Sequence, residues 1–224
     1  MRSSAYVTPE TLPARSRAWL DAARAAAAPR PHLRLDPPRC ALLVIDMVRY
    51  FADPAGRCFL PAAPAVRPRI AALSAAWRKG GGPVVFTRHA HRGPGDMGML
   101  GRFFSDWIRD GAPESEIVPD LAPAPGETVL RKTTYDAFLG TDLEDRLRAA
   151  GCEQVLVTGV LTHMCCETTA RAAFCRGFEV YVATDAMADA SEERHVASLA
   201  ALADAVAVVL DSDEAVRACR AART

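Results

Sequence analysis

Three positions in this chain carry groups that could act together, and all three follow short apolar runs. Cys165 and Cys166 fall where Val155-Leu156-Val157 gives way, after Thr158 and Gly159, to a helical pattern. A thiol at the start of a helix meets the positive end of its dipole, which favours thiolate over thiol. Asp46 closes the run Ala41-Leu42-Leu43-Val44-Ile45, and a carboxylate ending a buried strand is costly unless it is paired or functional. Lys132 follows Thr128-Val129-Leu130 in the stretch Arg131-Lys132-Thr133-Thr134-Tyr135-Asp136-Ala137-Phe138. Each has an ordinary alternative: core-filling cysteines, a turn or N-cap aspartate, a solvated lysine. A fourth signal is His89-x-His91, two imidazoles on one extended segment that could share a metal ion. No third ligand at a recognisable spacing accompanies them, and zinc sites want three or four. Substrate contacts or plain loop histidines compete with that reading.

The elements that must position these groups alternate. Strands are expected at 41–46, 83–87, 128–130, 155–157, 178–182 and 205–210, with Thr184-Asp185-Ala186 following the fifth. Helices are expected at Val66–Trp77, Asp142–Gly151, Ser191–Ala203 and from Asp211 to about Cys219. Another follows Cys166, with Thr169, Ala170, Ala172, Ala173 and Phe174 able to pack inward. This alternation predicts an α/β fold of three layers, a doubly wound, mostly parallel six-stranded sheet flanked by helices. In such a sheet the carboxyl ends of the strands share one edge, where ligands bind. Asp46, Lys132 and Cys165 are then neighbours. Gly80-Gly81-Gly82 marks a turn. Residues 92–126 are rich in Gly, Pro and charge around an aromatic island at Phe103, Phe104 and Trp107, the signature of a lid or binding segment.

With 224 residues the chain can bury one full core. Residues 1–38 read as an N-terminal arm, helical from Leu12 to Ala28, and 39–224 as the single α/β domain. Lys plus Arg and Asp plus Glu number 27 each, with no long basic run, which argues against a nucleic-acid surface. The N-terminus lacks the apolar core of a signal peptide, and no run reaches membrane-spanning length. Seven cysteines without C-x-x-C pairs predict free thiols in a cytoplasmic protein.

The constellation resembles the isochorismatase-like cysteine hydrolase family, which includes isochorismatases, nicotinamidases and N-carbamoylsarcosine amidohydrolases. The matching motifs are Leu43-Val44-Ile45-Asp46-Met47, Leu130 through Phe138, and Gly159 through Thr169; Thr184 through Ser191 with His195 adds a fourth. The resemblance spans roughly residues 38–215. It implies an Asp46-Lys132-Cys165 triad that hydrolyses a C–N bond of a small amide, carbamoyl or ureido compound through a thioester, without a cofactor. The family nucleophile lies six residues after the motif glycine, which selects Cys165; Cys166, about 100° further round the helix, turns toward the core. The family's cis peptide maps onto Val160–Leu161 and its oxyanion hole onto the backbone N–H groups of Leu161 and Cys165. The pocket is expected to involve Phe51, His89, Trp107, Tyr135 and Phe138, with His163 a packing or pocket residue. A homodimer or larger assembly is implied. The nicotinamidase branch binds a metal through Asp-x-His, which is His89-x-His91 here. The isochorismatase branch cleaves a vinyl ether to release pyruvate and uses a small residue where this chain has Cys165. Val48, Leu161 and Thr87-Arg88-His89-Ala90 also depart from that branch. Vinyl-ether hydrolysis is the alternative chemistry, and a non-catalytic binding protein the third possibility.

Overall fold

A computed structural model describes residues 3–80 and 82–222. Among them six strands form one parallel sheet: β1 (Cys40–Ile45), β2 (Val84–His89), β3 (Thr128–Lys132), β4 (Gln154–Val160), β5 (Glu179–Ala188) and β6 (Ala207–Leu210). Their order is β3-β2-β1-β4-β5-β6. The chain winds outward in one direction from β1 and in the other from β4, so the crevice where winding reverses lies between the carboxyl ends of these two strands. Every residue of β1 and β4 is buried, which is why both read as continuous apolar runs without alternation.

The helices are α1 (Leu12–Ala25), α2 (Arg49–Ala52), α3 (Ala63–Gly80), α4 (Leu100–Phe103), α5 (Leu143–Ala149), α6 (Glu167–Cys175), α7 (Glu192–Ala205) and α8 (Ser212–Ala221). The helices α3 and α8 pack together on one face of the sheet, while α1, α6 and α7 cover the other. The start of α8 is fixed by a reciprocal cap in which the Asp211 side chain accepts the Glu214 N–H and the Glu214 carboxylate accepts the Asp211 N–H. Residues before β1 are tied to both α7 and α8. Trp19 Nε1 donates to Glu192 Oε1 at 2.8 Å, and Arg24 pairs with Glu214 at 2.8 Å.

Several elements differ from the sequence expectation, and four strands run further than expected at the ends that face the crevice. The expected end of the fourth strand at Thr158 does not occur; β4 continues through Gly159 to Val160. Likewise β2 runs on to His89, β3 to Lys132, and β5 past Asp185 to Ala188. Apolar composition marks where a strand is buried, and polar residues at its end are paired by the neighbouring strand all the same. Helix α3 begins at Ala63 and reaches Gly80 despite Pro68, and Gly81 of the expected turn lies outside the described residues. Phe174 does not pack inward: it is 52% exposed, because Thr169, Ala170 and Ala173 define the buried face of α6.

Glycine is required at position 159. Its φ is +108°, and a Cβ there would stand 2.1 Å from the Ile45 carbonyl oxygen on the adjacent strand. Only a bare backbone lets β1 and β4 stay paired as far as Ile45 and Gly159, the last pair before the crevice.

Candidate active site

Asp46 leaves β1 through a tight turn. Its φ is +49°, in the left-handed region that Asp tolerates better than most residues, and its carbonyl accepts the Val48 N–H at 2.7 Å. This bends the carboxylate into the crevice. Thr87, on β2, holds it from the side: the Thr87 hydroxyl donates to Asp46 Oδ1 at 2.7 Å and accepts the Asp46 N–H at 3.1 Å. Lys132, last residue of β3, brings its ammonium to 2.7 Å from Asp46 Oδ2, with both side chains fully buried. That contact is a buried ion pair, and because a carboxylate oxygen offers two acceptor sites, Oδ2 keeps acceptor capacity beside it. Lys132 Nζ also donates to the Thr134 carbonyl at 2.8 Å and to Cys165 Sγ at 3.3 Å, and stands 3.4 Å from His89 Nδ1. Four acceptors thus share three ammonium hydrogens.

Cys165 lies in a π-helical turn, Thr162–Cys166, between the end of β4 and the start of α6. The Val160–Leu161 peptide entering this turn is cis. Cys166 faces the other way, fully buried, with Sγ 3.8 Å from the Thr158 carbonyl.

Burial by itself would raise the Asp46 carboxyl, but the Lys132 charge and the hydrogen bond from Thr87 hold it below the usual carboxylate range. Lys132 is held charged in the opposite sense, because Asp46 and Cys165 outweigh its desolvation. Burial works against the thiolate that a helix start favours, pushing Cys165 up to about 12, and Lys132 lowers it only partly against the nearby Asp46 charge. The resting site holds carboxylate, ammonium and thiol.

His89 and His91 face each other with Nε2 atoms 3.0 Å apart, and His91 Nδ1 lies 3.2 Å from the Asp96 carbonyl. One assignment of ring hydrogens satisfies every contact: Lys132 donates to His89 Nδ1, His89 Nε2–H to His91 Nε2, and His91 Nδ1–H to Asp96. Burial and the Lys132 charge push His89 down to about 3, so it is neutral. These residues do not fit a resident metal. The one cluster of three ligand-type side chains among the described residues is Asp46, His89 and Cys165, within 4.8 Å of one another, and the Lys132 ammonium already contacts all three. A cation there would sit against a fixed positive charge. His91 belongs to no such cluster.

Above Cys165 opens a cavity of about 350 Å³. Of the expected pocket residues, Phe51, His89, Trp107 and Tyr135 line it. Phe138 does not. It is buried elsewhere, 6.0 Å from the Phe178 ring and beneath the Arg176 guanidinium. Leu161, expected at the site for its backbone, also lends its side chain to the lining, and Met164 and Ile108 complete walls that sequence patterning missed, because nothing in their type sets them apart from core residues. Thr87 was equally silent: a threonine within a strand carries no signal until its neighbour is known. Between β2 and β3 the chain contributes Met97, Leu100 and residues 104–108 to the lining, and single bridges join His91 to Arg109 and Val48 to Ile117.

A doubly wound sheet with carboxylate, ammonium and thiol gathered at its switch point defines a class of small-molecule hydrolase. Residues 40–214 match the Isochorismatase domain, and the chain belongs to that family. It is 42% identical to nicotinamidase 3 of Arabidopsis thaliana over 178 residues, 78% of this chain and 85% of the relative. It is 34% identical to an isochorismatase of Bacillus subtilis over 172 residues, 73% of this chain and 53% of the relative. A crystal structure of a cysteine hydrolase from Pseudomonas syringae pv. phaseolicola superposes with a TM-score of 0.83 at 26% identity, covering 87% of this chain and 99% of the other.

Proposed function

We propose that the protein is a cysteine amidohydrolase that cleaves the C–N bond of a small amide through a thioester on Cys165. The observation that carries this reading is the Lys132 ammonium set between the Asp46 carboxylate and the Cys165 sulfur, 2.7 and 3.3 Å away. Because the thiol is protonated at rest, its proton must leave as the sulfur attacks. Asp46 is ionised, its carboxylate keeps acceptor capacity beside the Lys132 and Thr87 contacts, and it is the base that takes it. As sulfur becomes anionic, the third ammonium hydrogen, shared at rest between Cys165 and His89, goes fully to the sulfur. The carbonyl oxygen that becomes negative is assigned to the backbone N–H groups of Leu161 and Cys165. Asp46 then returns the proton to the departing ammonia or amine and activates water against the thioester.

The cavity suits a flat, mostly apolar body: Phe51, Trp107, Tyr135, Leu161 and Met164 form its walls, with the neutral His89–His91 pair as a polar contact. An aromatic or heteroaromatic primary amide fits this lining, and the similarity to nicotinamidase 3 makes nicotinamide the first member of a test panel. Vinyl-ether hydrolysis has support from the isochorismatase relative but leaves the Cys165–Lys132 contact without a task. A homodimer or larger assembly belongs to this proposal and is read by light scattering.

The test measures ammonia release from nicotinamide, other small aromatic amides and N-carbamoyl compounds, beside pyruvate release from isochorismate. We expect an amide to be turned over, with Cys165→Ala lowering kcat at least about 1,000-fold. Pyruvate release that survives Cys165→Ala and disappears in Asp46→Asn would overturn the amidase reading in favour of the vinyl ether.

A further inference from the structure

The turn that presents Cys165 is gripped from behind by a carboxylate outside the cavity. Asp189, fully buried just beyond β5, accepts the His163 backbone N–H on Oδ2 at 2.8 Å and the Ala190 N–H on Oδ1 at 2.6 Å. The His163 ring adds Nδ1, 2.8 Å from Oδ1 and 2.6 Å from Oδ2. Behind it the Asp189 N–H donates to the hydroxyl of Tyr6, at 3.0 Å, from the arm that precedes the family-matched region. His163 stands two residues before Cys165, yet it does not line the cavity.

We infer that Asp189 is a positioning residue: by fixing the backbone at His163 it sets the Cys165 sulfur in register with Lys132. The kinetic consequence rests on the amide-hydrolysis reading; the geometry does not. Only a carboxylate meets the geometric demand. Each of its two oxygens takes a backbone N–H, so an amide in either orientation would turn its NH2 group against one of those donors. The N–H left unpaired is buried, and the turn must shift to satisfy it. The rest of the turn has its own anchors, since Thr162 Oγ1 lies 2.8 Å from His195 Nδ1 and the Ser198 hydroxyl donates to the Thr162 carbonyl at 3.3 Å. Loss of the Asp189 grip therefore displaces the sulfur rather than unfolding the protein. The competing role, a His163–Asp189 pair acting as a base on Cys165, would need His163 Nε2 at the sulfur. His163 does not line the cavity that Cys165 lines, and the sulfur takes its hydrogen bond from Lys132.

The experiment compares wild type with Asp189→Asn, His163→Phe and Tyr6→Phe. It reads kcat and KM on an amide that wild type hydrolyses, and the second-order rate of iodoacetamide labelling at Cys165. A misplacement of about 1 Å costs on the order of 100-fold, so Asp189→Asn is expected to lower kcat about 10- to 100-fold at a KM within twofold and to change the labelling rate at least threefold. His163→Phe keeps the backbone N–H bond and is expected to retain kcat within about threefold. Wild-type kcat and labelling in Asp189→Asn overturn the inference. So does a loss in His163→Phe as large as that in Asp189→Asn, which would make the ring the acting group. Should Asp189→Asn fail to fold, Tyr6→Phe carries the test: a kcat about two- to fivefold lower at unchanged KM supports the inference, and wild-type kcat overturns it. If wild type turns over no amide, the functional reading fails separately, and the labelling comparison alone decides.

Discussion

At the scale of single residues, the site works because its charges balance only as a group. Asp46 and Lys132 are fully buried, and each is tolerable there because of the other. Lys132→Met should leave Asp46 as an uncompensated buried charge, costing about 3–5 kcal/mol in urea unfolding, besides abolishing hydrolysis. A loss below 1 kcal/mol would mean that Asp46 has another partner. The thiol carries its own prediction. With Cys165 pushed up to about 12 by burial, the thiolate fraction rises tenfold per pH unit over the accessible range. Iodoacetamide labelling should climb steadily from pH 7 to 10 without levelling. A plateau below pH 8 would instead show a resting thiolate held by Lys132.

At the scale of elements, the geometry depends on how closely β1 and β4 approach at their carboxyl ends. Gly159 is the hinge of that approach, with positive φ and the Ile45 carbonyl where a Cβ would lie. We expect Gly159→Ala to cost at least about 3 kcal/mol, combining backbone strain with a forced separation of the two strands. Denaturant unfolding measures it, and a cost under 1 kcal/mol would show that the strand ends move apart freely. The same closeness explains why strand ends were read short from sequence. Gly159 and the stretch from Thr184 to Ala188 look like loop residues, yet after an irregularity Gly159 pairs with Met187 and Val160 with Ala188.

At the scale of the molecule, acid should be the weak side of stability. Burial pushes His195 down to about 4 and His89 down to about 3, while both titrate near 6.5 in the unfolded chain. Below pH 6.5 the unfolded chain takes up protons that the folded protein refuses, so unfolding is favoured as pH falls. The slope is about 1.4 kcal/mol per pH unit for each histidine, until pH reaches the folded values. Asp46 acts in the same sense lower down. Its folded value is depressed, so the stability it adds above the ordinary carboxylate range is lost as pH falls through that folded value. Melting temperatures at pH 7.5, 6.0, 5.0 and 4.5 should decline progressively, and an unchanged value at pH 5 would show that these histidines are protonated in the fold. Among the described residues no helix is long and apolar enough to cross a membrane.

By itself the sequence determined the layered α/β fold, the family and the meeting of Asp46, Lys132 and Cys165, because apolar runs separated by helical segments force a parallel sheet whose strand ends share an edge. The motif glycine and the cis Val160–Leu161 peptide were also legible, through the resemblance. Tertiary structure alone decided the rest. Whether Cys165 rests as thiol or thiolate depends on how completely neighbours strip water from the sulfur, which no local pattern records. Thr87 and Asp189 became visible only when folding brought them to the Asp46 carboxylate and the His163 backbone that they hold, 41 and 26 residues away. Phe138 left the pocket because Phe178 and Arg176, distant in the chain, offered its ring a place to pack. Periodicity reports which face of an element is dry, whereas partner identity is a property of the assembled fold.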